Sequence, residues 1–99
     1  MIMDYVFKIE DKSGRMIHLT RAKWEHITIK HPYMSHKLEE IKCALISPVL
    51  IVPHKFDYIR RNYYIYYKDQ KRYLLVSVKY LNGEGYVVTA FITRKIIRR

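Results

Sequence analysis

RYLLVSVKYLNGEGYVVTAFIT, residues 72–93, decides the fold. Its first half alternates Leu74, Val76, Val78 and Tyr80 with Tyr73, Leu75, Ser77 and Lys79, and a period of two residues sends the two sets to opposite faces of a strand. Asn82-Gly83-Glu84-Gly85 then supplies a turn, in which Gly83 and Gly85 are read as glycines chosen for backbone freedom. In the second half Tyr86, Val88, Ala90 and Ile92 alternate with Val87, Thr89, Phe91 and Thr93. The stretch is therefore two antiparallel strands joined by a short turn. Leu74, Val76, Val78 and Tyr80 form an uninterrupted core side. The polar-bearing sides meet on the other face, where Ser77, Lys79, Thr89 and Thr93 become neighbours on a surface suited to phosphate.

Working outward, VLIV from Val49 and FDYIRRNYYIYYK at 56–68 read as two more strands, set off by Pro53-His54 and Lys68-Asp69-Gln70-Lys71. Before them, Leu38, Ile41 and Leu45 recur at three and four residues and predict a helix from about 36 to 46, with Ser35 as its N-cap and Ser47-Pro48 as its stop. Cys43 in this helix is expected to be a small buried side chain. A first helix runs from Thr20, a good N-cap, to about Lys30, with Trp24 and Ile27 on one face; Pro32 disfavours helical geometry at His31 and ends it. Tyr5, Phe7 and Ile9, the turn residues Asp11 to Gly14, and Met16 to Leu19 describe an opening hairpin. The expected fold is α+β, with the N-terminal hairpin and two helices packed on one face of a C-terminal antiparallel sheet and the other face open. At 99 residues the whole chain, 1–99, is one domain, because two cores could not each bury enough surface.

Lys and Arg number 19 against nine Asp and Glu, a formal net charge of +10 that attracts polyanions. Nucleic acid is the leading partner, with an anionic membrane or an acidic protein behind it. No membrane is expected, since the longest apolar run, ALISPVLIV at 44–52, is broken by Ser47-Pro48, and the first 20 residues carry no signal-peptide core. A single cysteine fits a reducing cytoplasm. Neither paired cysteines nor an HExxH pattern is present, so no metal and no cofactor is expected.

The run RRNYYIYYK at 60–68 fits a nucleic-acid surface: Tyr64 and Tyr66 offer rings to bases, and Arg60, Arg61 and Lys68 offer charge to phosphates. A strand also turns about half of its tyrosines inward. WEHITIKHP at 24–32 holds His26 and His31. An ideal helix separates them by roughly 140°, so a joint site needs another segment. The helix dipole favours the protonated form of His31 at the C-terminal end, which makes it either an acid-base group or a cap for the last carbonyls.

The order LTRAKWEHITIKHP, a Leu-Glu-Glu-Ile helix, SPVLIV, a Tyr-rich strand, YLLVSVKY and GYVVTAFIT resembles the phage-associated nucleases of the barnase, EndoU, colicin and RelE-like (BECR-fold) superfamily, over about 20 to 93. The resemblance implies a metal-independent endoribonuclease that cleaves by 2′-hydroxyl attack to a 2′,3′-cyclic phosphate. It also implies the toxin half of a toxin-antitoxin pair, with an acidic antitoxin or immunity protein as partner. By resemblance His31 matches the helix-end histidine and Thr89 the late-strand hydroxyl, and the family's basic and tyrosine sheet residues, whose positions vary, fall on Lys79, Arg60, Tyr66 or Arg94; the residues themselves add His26 as a secondary candidate and let Lys79 or Arg94 supply a cation. Tyr33 stands where a Glu often follows His-Pro in such sequences. The residues leave base and acid unassigned, and a non-catalytic RNA-binding module on the same scaffold remains the alternative.

Overall fold

A computed structural model describes residues 4–97. Strand β1, Tyr5–Glu10, and strand β2, Met16–Thr20, form the expected antiparallel hairpin. Asp11 builds its turn: Oδ1 accepts from the Ser13 amide at 2.9 Å, the Ser13 hydroxyl at 2.7 Å and the Arg15 amide at 2.9 Å. The other carboxylate oxygen accepts from the hydroxyls of Tyr63 and Tyr80, which tie the turn to the central sheet. Burial and the neighbouring Asp11 carboxylate push the Tyr80 phenol up to about 12.

Helix α1, Arg21–Lys30, starts where Thr20 Oγ1 accepts from the Lys23 amide at 3.1 Å. Ile27 anchors it in the core, with Trp24 packed alongside. Its end is closed by the His31 backbone N–H, which donates to Ile27 O at 2.7 Å. Pro32 then opens a 3-10 turn, Pro32–His36, that buries Met34. This turn corrects the expected start of the second helix. Ser35 lies inside the turn and caps nothing; helix α2 spans Leu38–Ile46, and Lys37 at its N-cap makes no side-chain capping bond. Ile41, Ala44 and Leu45 are buried as the spacing requires. Cys43, two residues past Ile41 and so on the far side of the helix, is exposed and not part of the core.

Strands β3 (Leu50–Pro53), β4 (Arg60–Tyr67), β5 (Arg72–Leu81) and β6 (Glu84–Thr93) follow. All six strands form one sheet in the order β1-β2-β6-β5-β4-β3, an α+β arrangement with the helices packed on the sheet. The hairpin extends the sheet, because β2 pairs in parallel with β6 through Ile17 to Gly85 and His18 to Tyr86; every other pairing is antiparallel. Gly83 has φ +82 and serves the turn. Gly85 has a different reason to be glycine: a Cβ there would lie 2.4 Å from Ile17 Cδ1. Close approach, not turn freedom, selects it.

Leu74, Val76, Val78 and Tyr80 face the helices as expected. The alternation read for β6 fails at one point. Ser77 pairs with Thr89 but Val78 pairs with Val87, so Val88 is an extra residue in a β-bulge. Val87 and Ala90 consequently both enter the helix-side core, while Phe91 reaches the opposite face. That opposite face is not fully open. Val52, Tyr64 and Leu75 are buried there beneath Leu50, Tyr73, Phe91 and the chain after β6, Ile96 and Ile97.

Candidate active site

The parallel pairing of β2 with β6 involves two residue pairs and ends at Tyr86. Beyond it, α1 rather than another strand lies beside β6. Tyr33 satisfies part of this edge, its hydroxyl accepting from the Ile92 amide at 3.0 Å. The bulge at Val88, one face of α1 and the start of β4 border an open pocket of about 450 Å³. Lys23, His26, Lys30 and His31 line it from the helix, Val88, Thr89 and Phe91 from β6, and Arg60 from β4.

His31 is held by aromatic contact. Its ring stacks on Phe91, with centroids 5.5 Å apart and planes 28° apart, and meets Tyr33 at 5.8 Å. Burial, reinforced by the positive charge of Lys30, lowers its pKa below the ordinary 6.5. The dipole of α1 favours the opposite shift, and the expectation of a stabilised imidazolium is corrected: desolvation and a like charge decide the direction. A neutral imidazole accepts a proton at neutral pH.

Arg60 is fixed from behind. Its Nε donates to Ser77 Oγ at 2.6 Å, and Ser77, itself buried, pairs across the sheet with Asn62 on one side and Thr89 on the other. The guanidinium and the Thr89 hydroxyl therefore share one neighbour. Three permanent cations, Lys23, Lys30 and Arg60, line the cavity and none of its lining residues is acidic. Such a site attracts an anion of two or more charges, and the fork of Arg60 suits a phosphate.

Of the sequence candidates, His26, His31, Thr89 and Arg60 come together. His26 and His31 share the cavity despite their separation on an ideal helix, because His31 leaves helical geometry at φ −130 and ψ 79. The others lie outside the cavity lining. Lys79 pairs with Asp57 at 3.3 Å, and Arg94 follows the end of β6. Arg61 points to the helix face, 5.7 Å from the Tyr80 ring, and Lys68 sits in the turn after β4. Tyr66 is partly exposed against Tyr73 at 4.9 Å. Tyr64 cannot stack on a base: it is fully buried, and its hydroxyl accepts from the Ile97 amide at 2.9 Å.

Sequence reasoning missed Lys23, Lys30 and Phe91. A signal for the first two was present, since Lys23, His26 and Lys30 recur at three and four residues and share one face of α1. His18 lies elsewhere, buried between the rings of Tyr5 at 4.8 Å and Tyr86 at 5.0 Å. Among the described residues no three His, Cys, Asp or Glu side chains converge as metal ligands, and no helix is long and apolar enough to cross a membrane. No protein-family model, curated protein or solved structure matches the chain.

Proposed function

We propose that this protein is a metal-independent endoribonuclease. The observation that carries the reading is the convergence of two imidazoles, one with its pKa lowered by burial and Lys30, with three cations and the Thr89 hydroxyl in one pocket. RNA supplies both the polyanion that a chain of net charge +10 attracts and an internal nucleophile, the 2′-hydroxyl.

In the proposed reaction neutral His31 takes the proton of the 2′-hydroxyl, and the 2′-oxygen forms a bond to phosphorus. Arg60 and Lys30 balance the charge gathering on the non-bridging oxygens, and Thr89 donates to one of them. The bond from phosphorus to the 5′-oxygen breaks, and that oxygen takes a proton from His26 as the general acid. The products are a 2′,3′-cyclic phosphate and a 5′-hydroxyl, with the proton balance of the two histidines reset through solvent. Arg60 takes the role for which Lys79 and Arg94 were first considered, because it lines the cavity and they do not. The resemblance to BECR-fold nucleases supports the same chemistry, and extends it to a cytoplasmic toxin restrained by an acidic antitoxin.

The test is cleavage of RNA by purified protein in EDTA, with the ends mapped. We expect cyclic phosphate ends, no cleavage of the same sequence as DNA, and a fall in kcat of about 10²- to 10⁴-fold for His31→Ala. Loss of activity in EDTA rejects the metal-free mechanism. If a broad panel of RNAs is bound but never cut, and His31→Ala binds as tightly as wild type, the chain is a binding module instead.

A further inference from the structure

The connection from β3 to β4, HKFDYI at 54–59, presents the two most exposed aromatic rings among the described residues: Phe56 is 79% exposed and Tyr58 is 92% exposed. Exposed rings side by side leave apolar surface in water that a fold would ordinarily bury. They are not on a slack segment. The His54 amide donates to Arg60 O at 2.9 Å, the Arg60 amide to Asp57 O at 2.9 Å, the Phe56 amide to His54 Nδ1 at 3.2 Å and the Ile59 amide to Asp57 Oδ1 at 3.3 Å. Lys79 holds the Asp57 carboxylate at 3.3 Å, which both braces the loop and neutralises its one acid. The Tyr80 amide ties Ile59 O to β5 at 2.8 Å. Lys55 lies 5.5 Å over the Phe56 ring and adds positive charge.

Arg60 joins this loop to the cavity. Its backbone closes the loop at both ends, and its side chain lines the site. From this geometry we infer that the loop is a base-stacking platform and that the site takes unpaired RNA, a single strand or a loop, whose base beside the scissile phosphate stacks on Phe56 or Tyr58. The inference rests on the RNA reading of the cavity. In a duplex both faces of each internal base are occupied by neighbouring pairs, so a ring has nothing to stack on; in a single strand the base face is available. Lys79, unassigned in the chemistry, acquires a positioning role by holding Asp57 and with it the loop.

The experiment uses 2′-O-methyl RNA of about ten nucleotides, within the reach of a small binding groove, which lacks the nucleophile and cannot be cut. It carries 2-aminopurine at successive positions, and binding is read by anisotropy and by quenching of that base. We expect position-dependent quenching with wild type and an affinity about 10- to 100-fold lower for Phe56→Ala with Tyr58→Ala, at unchanged charge. Phe56→Tyr with Tyr58→Phe should bind as wild type does, and a blunt duplex of the same length should bind as weakly as the double alanine variant. Equal affinity for the double alanine variant, or for duplex and single strand, overturns the platform. Because the probe is not a substrate, the two readings separate. Stacking without cleavage of natural RNA leaves the platform standing and removes the nuclease, whereas cleavage with unchanged affinity in the double alanine variant removes the platform alone.

Discussion

Gly85→Ala tests the junction on which the candidate site is built. The pairing of Ile17 with Gly85 joins the hairpin to the sheet in parallel, and α1 leaves that hairpin directly to lie beside β6. A Cβ on residue 85 would sit 2.4 Å from Ile17 Cδ1, 2.9 Å from Val78 Cγ1 and 3.2 Å from Tyr80 Cε1. Ile17 and Val78 are both 0% exposed, so neither can swing into solvent. Overpacking of this kind costs about 1–3 kcal/mol. A smaller unfolded-state entropy for Ala returns about 0.4–1 kcal/mol. The expected net loss is about 1–2 kcal/mol, or a fall in Tm of about 5–15 °C for a domain of this size. Urea denaturation monitored through Trp24 fluorescence measures it. Ile17→Val, which removes the nearest offending methyl, should cost about 0.5–1.5 kcal/mol in the wild type but close to nothing when residue 85 is Ala. Refutation comes from a Gly85→Ala variant as stable as wild type, or from an Ile17→Val cost that is the same in both backgrounds.

Asp11→Asn should lower stability by about 1.5–3 kcal/mol in urea denaturation, because the buried carboxylate accepts at both oxygens and an amide replaces one acceptor with a donor; a change below about 0.5 kcal/mol would show that the turn does not depend on it. Lys30→Gln removes a positive neighbour that, after burial, holds the His31 pKa low. A base works in its deprotonated form and activity falls as pH drops through its pKa, so the acid limb of kcat/KM should lie below pH 6.5 in wild type and move to higher pH in the variant. An acid limb that stays in place, or moves lower, would separate His31 from the general base.

Periodicity made most elements legible. The two-residue alternation of 72–81 assigned both faces of β5 without error, since a strand in the middle of a sheet has no freedom to rotate. Thr20 as N-cap and the Leu38, Ile41, Leu45 stripe were equally readable, because capping and helix burial are local. The bulge at Val88 was not: a hydrophobic valine continues the alternation on paper, and only the register against β5 shows that Val87 parts from Thr89 and Phe91 and joins Ala90 on the helix side. The tyrosine run misled for a related reason. Tyr64 occupies an outward position in β4, but Ile96 and Ile97 fold back over it and convert that face into a second small core.

For the site, residue chemistry selected His26, His31 and Arg60 and the family resemblance selected Thr89, from three distant segments, and the fold brings them to one pocket. The same chemistry selected Lys79 and Arg61, which tertiary contacts with Asp57 and Tyr80 draw elsewhere. By itself the sequence determined what depends on neighbours along the chain: helix and strand identity, caps, turns, and a charge that calls for an anionic partner. Only the tertiary structure decided what depends on residues far apart meeting: the parallel junction at Gly85, the burial that lowers the His31 pKa, and the closed loop at 54–59 that holds two rings in water. Desolvation and register are properties of packed neighbours, and a one-dimensional pattern carries neither.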